Sequence, residues 1–170
     1  MAMSWSSAST CSAPEGLDRM KEVLSADDAR AWWEHDSDAF DLVWNLTTYR
    51  SDLAGELIRV LAETAPDGAL SYIGVSILED LSMDADHENR PDTTLDRLFD
   101  ARLEPAITFE ILAGPYPEYL QKWGVRDRFA DTFTSAQIDA LYDWPAHRDH
   151  RLVLDGAGFR IEALSEWFAK

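Results

Sequence analysis

Apolar side chains recur every three or four residues along nearly the whole chain, and strand-type alternation is scarce. This constraint narrows the fold most. In "SDLAGELIRVLAET", Leu53, Leu57, Val60 and Leu61 form one stripe, while Asp52, Glu56, Arg59 and Glu63 take the other side with opposite charges three and four apart. That pattern is an amphipathic helix. Leu95, Leu98, Phe99 and Leu103 repeat it after a polar start at Asp92 or Thr93. Start signals recur as well. Ser25 with Asp28 has the spacing of a capping box before "ARAWWEH", Asp36 or Ser37 can cap "DAFDLVWNLTTY", and Thr134 with Gln137 precedes Ile138, Leu141 and Tyr142. Pro105 can open a helix over "AITFEILA", which "GPYP" closes because both prolines lack a donor.

The nearly all-apolar "PDGALSYIGVSILEDL" suits a central helix covered on several sides. Ser76 and Glu79 have S-x-x-E spacing, so the reading favours a break at Gly74 and a new helix capped by Ser76, with Glu79 and Asp80 in its favourable first turn. Trp32, Trp33, Phe40 and Trp44 supply a large apolar mass, and most of them are assigned to the core. Toward the end, "IEALSEWFAK" reads as helical. For residues 151–161, "RLVLDGAGFRI", spacing leaves open a short hairpin turning at Asp155 to Gly158 or a helix with a glycine stop. The expected fold is mostly α: a compact helical bundle or irregular stacked helical hairpins, with room for one short C-terminal hairpin. Residues 1–16, rich in Ser, Ala and Thr, read as a flexible tail, and residues 17–170 as a single helical domain.

Composition narrows the function. Thirty-two acidic residues against 15 basic ones leave a formal charge of -17, which opposes general affinity for nucleic acid or an anionic membrane and favours a basic partner. Cys11 is the one cysteine, so neither an intrachain disulfide nor a thiolate metal cluster is available. No basic leader precedes an apolar segment and no run reaches membrane-spanning length, which points to a cytoplasmic protein.

The stretch "SILEDLSMDADHENRPD" concentrates the candidate chemistry. Asp84, Asp86 and Glu88 alternate as in a helix-loop-helix calcium site, but the sixth position is Asn89 rather than glycine and the twelfth is Leu95, which has no oxygen to close the site. His87 alone supplies too few ligands for a transition metal. The pair His147 and His150 in "HRDH" stands three apart, as on one helix face, yet Arg148 and Arg151 beside it would repel a cation. No G-x-S-x-G elbow occurs, Cys11 lies in the tail, and "DGAG" has neither the spacing nor the lysine of a phosphate loop. No cofactor is implied. "SMDADHENRPD" accordingly reads as an exposed acidic loop, with Asp84, Asp86, Glu88 and Asp92 as candidate partner-binding residues.

Four segments, "AFDLVWNL", "LIRVLAETAPDGAL", "IGVSILEDLS" and "ARLEPAITFEILAGPYPEYL", resemble in order the parts of a bacterial domain family of unknown function, with a Trp-bearing helix followed by an "LEDLL"-type motif. The resemblance spans roughly residues 30 to 120. It departs where Val75 and Ser76 stand in place of the family's alanine-glycine-proline step, and where Ser82 replaces the second leucine. It implies a helical bacterial cytosolic protein and transfers no catalytic residue.

Two function classes follow. One is an acidic binding protein that docks on a basic protein, as an immunity protein masks a toxin, with Trp5, Trp123, Trp144 and Trp167 as candidate anchors. The alternative is a metal-assisted hydrolase using the acidic stretch 84–92 or the His147/His150 pair. Mimicry of nucleic acid would need carboxylates in regular rows, and the acids here are scattered.

Overall fold

The computed structural model describes residues 24–144 and 150–164, and these form a mostly helical body closed by one antiparallel hairpin. The first helix, α1 (Ala26–Trp33), begins where the Ser25 hydroxyl accepts the Asp28 amide, and α2 (Ser37–Tyr49) begins where the Asp36 carboxylate accepts the amides of Asp38 and Ala39. A 3-10 turn over Ser51–Leu53 leads into α3 (Ala54–Thr64), which buries Leu57, Ile58 and Leu61 as its stripe requires. The Trp33 indole N–H donates to the Leu61 carbonyl at 3.1 Å, tying α1 to α3.

The next helical run departs from the sequence reading. Helix α4 (Leu70–Ile73), a π turn over Gly74–Leu78 and α5 (Glu79–His87) follow one another with helical backbone throughout. Gly74 lies at φ -59° and ψ -50°, so it does not break the helix. No side chain caps α5, because Leu78 before it is helical and leaves no free N-terminus for Ser76. Gly74 serves packing instead: a Cβ there would lie 2.6 Å from Pro115 Cδ and closer still to the Ile111 carbonyl oxygen.

Beyond α5, α6 (Thr94–Asp100) packs on α3, and α7 (Pro105–Leu112) starts at its proline and crosses α4. Pro117 opens α8 (Pro117–Trp123), which ends at left-handed Gly124 before the short α9 (Val125–Arg128). The Thr134–Gln137 capping box forms in full at the head of α10 (Ser135–Asp143). Gln137 also holds the hairpin, since its side-chain amide donates to the Gly156 and Gly158 carbonyls at 3.1 and 2.8 Å and fixes the turn against α10.

That hairpin decides the segment left open by spacing. Strands β1 (His150–Asp155) and β2 (Gly158–Ala163) pair in the register His150↔Ala163 through Asp155↔Gly158, and β1 lies on α7. The helical reading of "IEALSEWFAK" fails for Ile161 to Ala163, which are strand; residues 165–170 lie outside the described residues. The hydrophobic core runs continuously from Leu24 to Leu152, with Trp32, Phe109, Ile111 and Leu120 among its fully buried members. No described helix is long and apolar enough to cross a membrane.

Of the four aromatics, most of which are expected in the core, two enter it. Trp32 and Trp33 are buried, but Phe40 is 38% and Trp44 50% exposed. The buried positions of α2 are Ala39, Val43, Leu46 and Thr47, an i, i+4, i+7, i+8 set. Phe40 and Trp44 sit one residue further round the helix, where Phe40 stacks on Trp32 at 5.9 Å and Trp44 faces outward.

Candidate binding surface

The stretch read as an exposed acidic loop is helical through His87, and its first residues point inward: Ser82 and Ala85 are buried. Asp84 and Asp86 therefore project from α5, while Glu88 and Asp92 flank the turn into α6. Three of these four carboxylates are occupied within the molecule. Asp86 pairs with Lys122 at 2.8 Å, Glu88 pairs with Arg90, and Asp92 belongs to a polar hub.

In that hub the Ser82 hydroxyl donates to Asp92 and accepts from Lys122 Nζ at 2.7 Å and from the Trp123 indole N–H at 3.1 Å. The other Asp92 oxygen accepts the amide and hydroxyl of Thr94, the first residue of α6, at 3.0 and 2.6 Å. Burial alone would raise the Asp92 carboxyl, but the hydrogen bonds from Ser82, Thr94 and Lys122 outweigh it and hold the group down at about 2. The Ser82 hydroxyl is the central atom of the hub. Trp123, a candidate anchor, is buried with its N–H committed here, and Trp144 is half-buried against the core. Trp5 and Trp167 lie outside the described residues.

The fourth carboxylate, Asp84, belongs to a different neighbourhood. Its Oδ2 is buried without a hydrogen-bond partner. One turn back, half-buried Asp80 makes no hydrogen bond or ion pair among the described residues. Burial, then the nearby charges of Asp84 and Glu79, push the Asp80 carboxyl up to about 6. Glu79 points elsewhere: its carboxylate accepts the Tyr116 amide at 2.9 Å and anchors the "GPYP" turn.

Asp80 faces α2 across a small cavity of about 20 Å³, which it lines with Phe40, Trp44, Thr47 and Ser76. The exposed acids Asp38 and Asp41 lie on the same helix as Trp44. The surface where α2 meets the π turn and α5 thus combines two exposed aromatic rings with carboxylates that no cation among the described residues neutralises. The sequence carries this signal in the i, i+4 pair Phe40 and Trp44, offset by one residue from the aliphatic stripe.

For the metal reading, no group of three or more His, Cys, Asp or Glu side chains among the described residues is placed to hold a metal ion. His150 begins β1 rather than a helix, and His147 lies outside the described residues. Compared with family models, curated proteins and solved structures, the chain has no match.

Proposed function

We propose that this is a binding protein that docks on a basic protein partner through the surface where α2 meets α5, in the way an immunity protein covers a cationic toxin surface. Trp44 and Phe40 supply apolar anchors, and Asp80 with Asp84 receives a lysine or arginine of the partner. The observation that carries this reading is the state of Asp80. It is half-buried, unpaired among the described residues and held at about 6 beside Asp84, and it lines one cavity with Trp44, a residue 50% exposed. A carboxylate so placed works against folding at neutral pH, and an incoming cation would relieve it.

The sign of the linkage makes this testable. Asp80 is raised from 3.8 to about 6 in the folded state, so its contribution to stability is complete below about pH 4 and is lost as pH rises through about 6. The shift corresponds to a ceiling of about 3 kcal/mol, reduced to about 1–2 kcal/mol by solvent screening of a half-buried group. Asp80→Asn is therefore expected to raise the melting temperature at pH 7.5 by a few degrees, with little change at pH 4. The same substitution is expected to weaken partner capture.

Affinity purification from the native host at low salt, with the wild type, Asp80→Asn and Trp44→Ala as baits, should recover a basic protein only with the first. Recovery of no basic protein, or equal recovery by all three baits, would rule this reading out. A higher melting temperature together with lost capture would identify Asp80 as a group kept for binding at the expense of stability.

A further inference from the structure

We propose that the cleft between the end of α6, the start of α7 and the segment after α9 binds a small amphiphilic monocarboxylate, with Arg102 receiving its head group. The cleft is a cavity of about 270 Å³ with apolar walls from Leu98, Phe99, Leu103 and Phe129, and with Thr108 and Arg102 as polar lining. Its volume lies at the small end of ligand sites, which suits one ring or a short branched chain. The wall is preformed. Phe99 stacks on Phe129 at 4.9 Å, Phe129 on Phe133 at 5.3 Å, and Phe133 meets Phe109 edge-on at 5.3 Å, so the rim is continuous with the fully buried core.

Arg102 gives the cleft its specificity. Every other described lysine and arginine makes an ion pair: Arg30, Arg50, Arg59, Arg90, Arg97, Lys122, Arg126, Arg128, Arg151 and Arg160. Arg102 makes none among the described residues, in a chain whose acidic residues number 32 against 15 basic. The acids that precede it on α6 are already matched, Asp96 with Arg128 and Asp100 with Arg97. Arg102 lines this largely apolar cleft and is exposed, so its donor fork is available for a planar carboxylate. The surrounding negative charge opposes a doubly charged phosphate more than a single carboxylate, so the head group is assigned as carboxylate.

The test uses 3-phenylpropionate and its uncharged amide as probes, titrated into the full chain and followed by backbone amide shifts. The acid should perturb residues 98–108 and 129–132, and the amide should bind about tenfold more weakly, as expected for loss of one charge-assisted interaction. Arg102→Gln should reduce the acid to the affinity of the amide and leave the amide unchanged. Arg102 is exposed, and an unchanged melting temperature for the variant will show that folding is not involved. Equal binding of acid and amide, wild-type affinity for the acid in Arg102→Gln, or no response of the cleft amides at millimolar probe would each overturn the proposal. Asp80→Asn should leave this titration unaffected, which separates the site from the α2–α5 surface.

Discussion

Gly114→Ala is expected to lower stability by about 3 kcal/mol or more, the upper end of the cost of forcing a group into packed space. A Cβ at this position would lie 2.8 Å from the Ser71 carbonyl carbon and nearer to its oxygen, and 3.3 Å from the Ile111 carbonyl oxygen. All three atoms are backbone, held in α4 and α7, so no side chain can swing aside. Gly74 faces the same crossing from the other helix, against Ile111 and Pro115. For a chain of this length the loss corresponds to a fall of about 10 °C in melting temperature. Gly124→Ala is the control. That residue sits at φ +69° with nothing within 4 Å of an added Cβ, so only the left-handed conformation is penalised, at about 1 kcal/mol. Urea denaturation of both variants decides the matter: equal losses would mean that the helix crossing can open without penalty.

The polar hub gives the second large effect. Asp92→Asn keeps shape and volume but replaces an acceptor by an amide that cannot satisfy Ser82, Lys122, Trp123 and Thr94 at once. With the carboxyl held at about 2 against an ordinary 3.8, its ionised form contributes about 2 kcal/mol, and unpaired buried donors add to the loss. A total near 3 kcal/mol is expected at pH 7, on the order of breaking a partly buried charged network. Because the folded-state value is depressed, this contribution is present above about pH 4 and fades as pH falls toward 2, so wild type and variant should converge there. Asp86→Asn removes a carboxylate from the same Lys122, but that side chain is 66% exposed, and a change below about 1 kcal/mol is expected. Matching losses for the two variants in denaturant would show that the hub adds nothing beyond a surface ion pair.

Local chemistry makes the helix starts legible. Ser25, Asp36, Thr134 with Gln137, and Pro105 act where their side chains say they should, because capping is settled within four residues. The same logic misleads at Ser76 and Glu79. Their spacing describes a cap, but the apolar helix continues through them under tertiary cover, and Glu79 bonds an amide 37 residues away. Gly74 and Gly114 look like punctuation until the chain segments they bring together are known. The acidic stretch is visible as composition, but its division is not. Which carboxylates are neutralised depends on Lys122 and Trp123, some 30 to 40 residues distant, and no local pattern places them. Which of the four aromatics stay outside follows from angle rather than residue type, since the stripe Ala39, Val43, Leu46 and Thr47 already defines the buried side of α2.

The π turn at Gly74–Leu78 bears on how this surface could change. A ladder reaching from i to i+5 accommodates one more residue than a regular α-helix over the same length, and one residue is about 100° of angular phase. Deleting a single position in the turn would restore the ordinary ladder and leave everything after it in the same phase. Glu79 would still reach the Tyr116 amide, and Asp80 would still line the cavity beside Trp44. The pairing of acid with aromatic is thus set by the wider turn: the same residues wound as a regular α-helix would carry Asp80 about 100° further round, away from Trp44.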